Sequence, residues 1–297
     1  MNEVTNGKIQ RDNEKVLELL SIYLNFFPDR IDQETVEAIT EGINDSADYA
    51  YSALMAAACG LDPYGNQRDK ELFRGYFLPM IKKQSVKEYA DNAYYRNICI
   101  PDKVYGKWEL CNQSYAPYEA FVYDDLEIRA NGRILPHIGY FNQRFQYPCV
   151  KENGREWMTV TPNEINTMKK AVTHACGNAL TFGLGLGYYA YMVSQKKDVE
   201  RITIVERDRE VIQLFSEIIL PQFSNRQKIN IVCADAFDFA DRELPKGVYD
   251  HIFTDIWHDS SDGMELYLKM REREHLSPNA RFDYWIEKTI KCYLGEK

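Results

Sequence analysis

The stretch that decides the fold is Leu180-Thr181-Phe182-Gly183-Leu184-Gly185-Leu186-Gly187, followed by Ile202-Thr203-Ile204-Val205-Glu206. An apolar run enters a glycine-rich turn, a helical segment follows over residues 188–196, and a second β-branched run ends on an acid. This order is typical of a strand–helix–strand unit with parallel strands. Glycine permits the sharp turn, and it lets the main chain approach another group closely because it has no Cβ.

The spacing of the glycines indicates which ligand the unit holds. Free N–H groups of the helix N-terminus lie at the turn, and an acid at the end of the second strand, Glu206, can accept hydrogen bonds from both hydroxyls of a ribose. A dinucleotide fingerprint, G-x-G-x-x-G, requires a third glycine where this chain has Tyr188. The pattern here is G-x-G-x-G, so we expect a nucleoside and disfavour a nicotinamide dinucleotide.

Alternating elements continue after this unit. Short β-branched runs predict strands over residues 179–182, 201–206, 229–233 and 250–255, buried on both faces of a Rossmann-like, doubly wound α/β sheet. The short segment after Ile256 has a helical pattern over 264–273 and 279–294. We therefore expect a C-terminally shortened sheet, or one completed by strands from the N-terminal half or from a partner subunit in a homo-oligomer.

Two further segments precede the sheet. Residues 1–96 have apolar residues at helical spacing and predict a helical N-terminal region. Residues 97–160 shift towards a period of two, with Asn-Gly hairpin signals at 131–132 and 153–154, and predict a small antiparallel β segment. Residues 161–297 form the predicted nucleoside-binding domain, and its first helix opens on Thr161-Pro162-Asn163-Glu164, a capping box that by itself explains Glu164.

The residues that carry a resemblance to a known family follow successive strands: Gly183, Gly185, Gly187, Glu206, Asp235, Ala236 and Asp255. With them the chain resembles the class I S-adenosylmethionine-dependent methyltransferases, over roughly residues 157–259, and most closely their spermidine-synthase-like branch. The resemblance implies S-adenosylmethionine, or its decarboxylated form, as cofactor. It implies that the glycines make room for the amino acid and ribose, that Glu206 binds the ribose diol, and that Asp235 and Ala236 meet the adenine. A tight turn for the glycines and a helix N-cap for Asp235 stay open as alternatives. In spermidine synthases a glutamate-bearing segment before the first strand lies near the ligand, and Asn163-Glu164 falls in a similar place with a different local motif, so a place near the ligand is the alternative to capping for Glu164.

Two residues are candidates for catalysis. Asp255 ends the fourth strand, where open α/β sheets place their ligands, and the resemblance implies an acid near the cofactor's sulfonium. Methyl transfer chiefly requires alignment, and an acid can take the acceptor's proton. Asp255 is our first candidate for that role and His258 the second, while a strand-terminal cap and an exposed loop histidine are the alternatives. Trp257 is a candidate aromatic wall.

The net charge and the composition of the chain disfavour several classes of function. The net charge of −9 disfavours nucleic acid as a partner, since phosphate binding needs a basic surface. No apolar run approaches the roughly 20 residues that span a bilayer, and no signal-peptide core follows Met1. Seven cysteines without a C-x-x-C pair predict reduced thiols in a cytoplasm. The histidine spacing shows no readable metal site.

These observations leave three hypotheses about function. The leading one is an S-adenosylmethionine-dependent transferase that methylates a small-molecule acceptor. The second is a spermidine-synthase-like aminopropyltransferase. The three residues Ile256-Trp257-His258, which separate Asp255 from the acidic segment 259–262, argue against it. The third is a non-catalytic module that binds a nucleoside or a protein, which the short C-terminal segment motivates.

Overall fold

The computed structural model describes residues 3–43 and 45–296, in which a run of helices, a run of strands and a part with alternating strands and helices follow one another. The α-helices are α1 (Glu3–Phe26), α2 (Gln33–Ile43), α3 (Ala47–Ala58), α4 (Gln67–Leu72), α5 (Leu78–Met80), α6 (Val86–Ala90), α7 (Ala93–Asn97), α8 (Pro162–His174), α9 (Tyr188–Ser194), α10 (Arg209–Leu214), α11 (Ala236–Glu243), α12 (Ser260–Arg271) and α13 (Glu287–Tyr293). The strands are β1 (Ile81–Lys83), β2 (Lys103–Tyr105), β3 (Trp108–Tyr115), β4 (Phe121–Ile128), β5 (Ile134–Tyr140), β6 (Phe145–Glu152), β7 (Arg155–Thr159), β8 (Gly177–Phe182), β9 (Val199–Glu206), β10 (Ile229–Cys233), β11 (His251–Thr254) and β12 (Arg281–Tyr284). Among the described residues, no helix has the length and apolar character that crossing a membrane requires.

The first of two compact units comprises the residues up to Lys87 together with Ser114–Gln146. It holds helices α1–α5 of the predicted helical region and a three-stranded sheet in the order β1-β5-β4, in which β1 is parallel and β4 antiparallel to β5. Its core is aromatic: the Tyr51 ring stacks on Tyr140 at 4.0 Å, and the Tyr51 hydroxyl donates to the Tyr118 carbonyl.

The second unit, Glu88–Gln113 together with the residues from Tyr147 onwards, contains the sheet that the glycine-rich stretch predicted. Its five strands are all parallel and lie in the order β10-β9-β8-β11-β12. This is the strand order of a Rossmann-like, doubly wound sheet, so the predicted fold class is confirmed. The chain reverses its direction of winding at β8, and ligands of such sheets bind at the carboxyl ends of the strands beside this reversal.

The structure corrects the helix that we predicted over residues 279–294. Arg281–Tyr284 is instead β12, parallel to β11, and helix α13 covers only Glu287–Tyr293. The fifth strand of the shortened sheet therefore comes from the chain's own C-terminal segment.

The sequence pattern did not predict β12, which has an acid, Asp283, in its middle. Asp283 breaks the apolar pattern of a buried strand, yet it is only 4% exposed. His174 and His251 each place a ring nitrogen at hydrogen-bond distance from its Oδ2, at 2.6 and 3.0 Å. These contacts satisfy a carboxylate that would otherwise be costly to bury.

The six strands β2–β7 of the predicted β segment join two sheets. One is the β1-β5-β4 sheet above, and the other has the order β2-β3-β6-β7. Asn153 and Gly154 both have positive φ, 50° and 79°, so β6 and β7 are joined by the two-residue turn that the sequence predicted. At the other Asn-Gly pair only Gly132 has a positive φ, and its connection between β4 and β5 is longer. The division of the chain into segments 1–96, 97–160 and 161–297 stays a prediction.

Candidate functional site

A cavity of about 640 Å³ lies at the carboxyl ends of the parallel strands, within the second unit. Its volume is in the range of small-molecule sites. The segments that follow β8, β9, β10 and β11 supply one part of its wall. Further parts come from the hairpins β2–β3 and β6–β7, helices α8 and α12 and the residues around Trp285. Of the predicted site residues, Gly183, Gly185, Glu206, Asp235, Ala236, Asp255 and His258 line this cavity.

The three glycines all have positive φ, and each is closely packed. A Cβ at Gly183 would lie 1.9 Å from the Asp255 carbonyl oxygen. At Gly185 it would lie 1.7 Å from Sδ of Met158, and at Gly187 it would lie 2.3 Å from the Phe215 ring. The tight-turn explanation therefore accounts for all three. Gly187 is the N-cap of α9 and is not among the residues that line the cavity.

Glu206 holds the glycine-rich turn while it borders the cavity. Its Oε2 accepts a hydrogen bond from the Leu184 N–H at 3.3 Å, and its Oε1 accepts one from the Asp208 N–H at 2.9 Å. Burial raises the pKa of this carboxyl, and the backbone donors act in the opposite direction. A carboxylate has about four acceptor positions, so these bonds leave acceptor capacity for a ligand hydroxyl.

Asp235 and Ala236 lie at the start of α11. Asp235 is the N-cap that we named as the alternative to adenine binding, because its Oδ1 accepts hydrogen bonds from the N–H groups of Phe237 and Asp238. Both bonds use the same oxygen, and Asp235 is exposed. Ala236 is buried. The contacts of this pair with adenine stay a prediction.

Asp255 and Glu164 face the same cavity from different elements. Asp255 directly follows β11 and is half-buried, and burial raises its pKa to about 7. Glu164 is in the first turn of α8, where burial, followed by the neighbouring carboxyls of Asp255 and Glu156, raises its pKa well above its usual range. Glu164 Oε2 is buried and has no hydrogen-bond partner.

The structure corrects our explanation of Glu164 as a capping residue. Pro162 is at the predicted first position of α8, but the side chain of the N-cap residue Thr161 makes no capping hydrogen bond. The predicted capping box is therefore not formed, and the Glu164 side chain belongs to the cavity wall. The resemblance to spermidine synthases offered a place near the ligand as the alternative for Glu164, whereas Thr-Pro-x-Glu is also the pattern of a capped helix.

His258 is at the mouth of the cavity and is exposed. Its Nδ1 is 3.2 Å from Asp262 Oδ2, and its ring meets the edge of the Trp157 ring at 4.1 Å. Asp262 also completes a capping box with Asp259 at the start of α12. Trp257 is 5% exposed, lines the cavity, and has an indole N–H without a partner.

The cavity is strongly acidic. The acids that line it are Glu152, Glu156, Glu164, Glu206, Asp208, Asp235, Asp255 and Asp262, whereas its lysine and arginine residues are Lys107 and Arg207. Lys107 is bound to Glu152 at 2.7 Å and to Asp208 at 3.1 Å. Among the described residues, neither Glu164 nor Asp255 forms an ion pair, so this end of the cavity suits a cationic group.

Several wall residues were not predicted, because they come from hairpins far from the glycine-rich stretch in sequence. Lys107 and Trp108 stand at the β2–β3 turn, and Glu156, Trp157 and Met158 stand on β7. The Asn-Gly pair before β7 predicted the hairpin but not its place beside the parallel sheet.

A second polar cluster lies outside the cavity lining. His174, His251 and Asp283 have donor types that a metal ion accepts, although the histidines are far apart in sequence. Their contacts are accounted for by hydrogen bonding and charge: Lys170 is 3.2 Å from Asp283 Oδ1, and the Tyr189 hydroxyl is 2.9 Å from His251 Nδ1. Burial opposes ionisation of Asp283, yet the two histidines hold its pKa well below its usual range.

Comparison with known proteins gives only low similarities. No protein-family model and no curated protein matches this sequence. A proposed O-methyltransferase from Klebsiella pneumoniae is matched over 39% of this chain and 49% of its own, at 17% identity and a TM-score of 0.29. A precorrin-8W decarboxylase from Methanobacterium thermoautotrophicum is matched over 42% of this chain and 64% of its own, at 15% identity and a TM-score of 0.31. The match thus spans less than two thirds of either structure, and the fold assignment here rests on strand order.

Proposed function

We propose that this chain binds S-adenosylmethionine and transfers its methyl group to a small-molecule acceptor. One observation carries the proposal: at the carboxyl ends of the sheet, one cavity brings together a glycine-rich turn and two acids that stand at strand ends, Glu206 and Asp255. Open α/β sheets bind their ligands at this place. Three residues of the same wall, Trp108, Glu164 and Trp257, carry buried polar atoms without a partner, which is typical of a site that a ligand completes.

The residues present fit the nucleoside part of the cofactor. Glu206 retains acceptor capacity for a ribose diol. Asp235 and Ala236 stand at the next strand end, where they would meet adenine. Met158 packs against Gly185 inside this wall, and its flexible thioether can adjust its position when a ligand enters.

The chain's own contribution to methyl transfer is orientation and proton transfer. When bound, S-adenosylmethionine supplies a methyl group on a cationic sulfur. Trp257 and Trp285 exclude water from part of the wall, which favours alignment of the reactants. Asp255 takes the proton that the acceptor loses, since its pKa of about 7 suits a general base near neutral pH.

A second candidate function is aminopropyl transfer from decarboxylated S-adenosylmethionine. The observation in its favour is that Glu156, Glu164 and Asp255 line one wall without an ion pair to any described residue. A cofactor tail that keeps its carboxylate would be repelled by these acids, whereas an amine would be attracted. The non-catalytic module loses part of its motivation, because β12 supplies a further strand of the sheet.

Isothermal titration calorimetry tests the nucleoside site. We expect S-adenosylhomocysteine to bind and NAD not to bind, and Glu206→Gln to weaken binding about 10- to 100-fold, since a hydrogen bond to a charged group is worth about 1.5–3 kcal/mol. Glu210→Gln is the matched control, because Glu210 is an exposed acid on α10 outside the cavity lining. Unchanged affinity in Glu206→Gln, or no binding of any adenosyl nucleoside, would refute the proposal.

The same titrations separate the two transfer reactions. Methyl transfer predicts that intact S-adenosylmethionine binds at least as well as its decarboxylated form. Tighter binding of the decarboxylated form, together with release of methylthioadenosine in the presence of an amine, would favour aminopropyl transfer. A nucleoside that binds and never turns over would favour the module.

A further inference from the structure

The cavity contains an acid that the proposed reaction has not yet used. Glu164 reaches the wall from α8, which precedes the glycine-rich stretch in the chain. Asp255 reaches the same wall from the end of β11, which follows that stretch. Glu164 Oε2 is buried without a hydrogen-bond partner. A fully ionised carboxylate in such a position loses its hydration and gains nothing in return.

Neither of the two acids has a positively charged partner among the described residues. None of the described lysines or arginines forms an ion pair with either of them, and the third acid of this wall, Glu156, adds negative charge. The other ionisable groups that border the cavity are Lys107, Glu152, Glu206, Arg207, Asp208, Asp235, His258 and Asp262, and Tyr188 faces Glu164 from α9. Lys107 is engaged by Glu152 and Asp208, and His258 by Asp262.

Glu164 and Asp255 line one cavity, and the charge of Asp255 opposes ionisation of Glu164. Two such carboxyls in a poorly hydrated site without a paired cation do not both ionise, because the second negative charge is opposed by the first. We propose that Glu164 is the second acid of this site and that Glu164 and Asp255 hold one proton between them at neutral pH. The pair then presents a single negative charge to the cationic end of the ligand. This inference rests on the proposed function for its role in transfer, but the sharing of the proton does not depend on it.

The ionised carboxyl of the pair can act as the base in the transfer step. The acceptor X–H gives its proton to the ionised carboxylate, X bonds to the methyl carbon, and the electron pair of the broken C–S bond stays on sulfur as a neutral thioether. The carboxyl pair ends the step with two protons and returns one to solvent. Atoms and charge therefore balance without a further reactant.

A double-mutant cycle on the unligated protein tests the pair without any activity. The variants are Glu164→Gln, Asp255→Asn and the double variant, and the measurement is urea unfolding at pH 8 followed by tryptophan fluorescence. We expect each single variant to lower the unfolding equilibrium constant about tenfold or more, since one unit of pKa shift corresponds to a factor of ten. In the double variant, the unfolding equilibrium constant should fall by a clearly smaller factor than the product of the two single factors, because either substitution removes the same repulsion.

The condition that isolates the charge effect is pH 5. Burial raises the pKa of Asp255 to about 7, so at pH 5 this carboxyl is largely protonated in the folded protein. The repulsion is then absent, and the coupling between the two substitutions should disappear. Independent effects at pH 8, a coupling that persists unchanged at pH 5, or a single variant that is less stable than the wild type would overturn the proposal. Asp241→Asn, an exposed acid paired with Arg273, serves as the control.

Activity provides a readout that a purely structural role would not change. Once Asp255 is neutral, the pKa of Glu164 falls, and Glu164 becomes available as the base. We therefore expect Asp255→Asn to keep a residual transfer rate that the double variant loses. If no adenosyl nucleoside binds while the cycle still shows coupling, the proposed function fails and the proton-sharing pair stands.

Discussion

Replacement of Asp283 by asparagine tests whether the polar cluster on β12 holds the sheet together. The carboxylate is 4% exposed and meets His174 at 2.6 Å, His251 at 3.0 Å and Lys170 at 3.2 Å. Asp283→Asn keeps the shape of the side chain but removes its charge. Removing one partner from a buried charged network costs about 3–5 kcal/mol. A unit of this size loses about 2–4 °C in Tm for each kcal/mol, so we expect a fall of roughly 10 °C.

The assay can follow the second unit alone. All four tryptophans, Trp108, Trp157, Trp257 and Trp285, belong to that unit, so tryptophan fluorescence reports its unfolding. The measurement is urea and thermal unfolding of both proteins at pH 7 and at pH 3. Asp241→Asn serves as the control, because that acid is exposed and pairs with Arg273 at the surface.

The stabilisation by Asp283 should depend on pH, because it requires the ionised carboxylate. The pKa of Asp283 is lower in the folded protein than in the unfolded chain, so its stabilisation is fully present above about pH 4 and is lost as the pH falls through the folded pKa. The difference between Asp283→Asn and the wild type should therefore narrow at pH 3. Equal stability at pH 7, or an equal difference at both values, would refute the account of β12.

Two further predictions concern the glycine-rich turn and the mouth of the cavity. Gly187→Ala should cost about 2–4 kcal/mol in urea unfolding, because φ is 73° and the new Cβ would meet the Phe215 ring. Gly154 also has a positive φ but open space around it, so Gly154→Ala should lower the free energy of unfolding clearly less than Gly187→Ala. Equal losses of stability in the two variants would contradict the packing explanation. His258→Ala should change nucleoside affinity by less than about threefold, since the ring is exposed and held by Asp262. In a transfer assay it should lose less rate than Asp255→Asn, and the reverse order would make His258 the base.

The organisation of the parallel sheet and its first helices could be predicted from local patterns. Two β-branched runs around G-x-G-x-G predicted β8, α9 and β9, since the periods of strands and helices are properties of short segments. The same holds for β10, which occupies the predicted residues 229–233, and for the Asn153-Gly154 turn. Such features depend on neighbours a few residues apart, so the sequence carries them directly.

Other features depended on groups that meet only in three dimensions. Asp283 belongs to a strand because His174 and His251, both distant in sequence, make its burial tolerable. Glu164 belongs to the cavity wall instead of a capping box because α8 packs where its first turn meets the strand ends.

Local spacing in the sequence is therefore enough to predict the order of strands and helices from β8 to β11, the glycine turn and the acids that follow successive strands. It was the three-dimensional arrangement that showed that Glu164 stands in one cavity with Asp255, that Met158 packs on Gly185, and that Arg281–Tyr284 is a strand. Burial and charge depend on which distant side chains become neighbours, and the spacing of a residue along the chain does not contain that information.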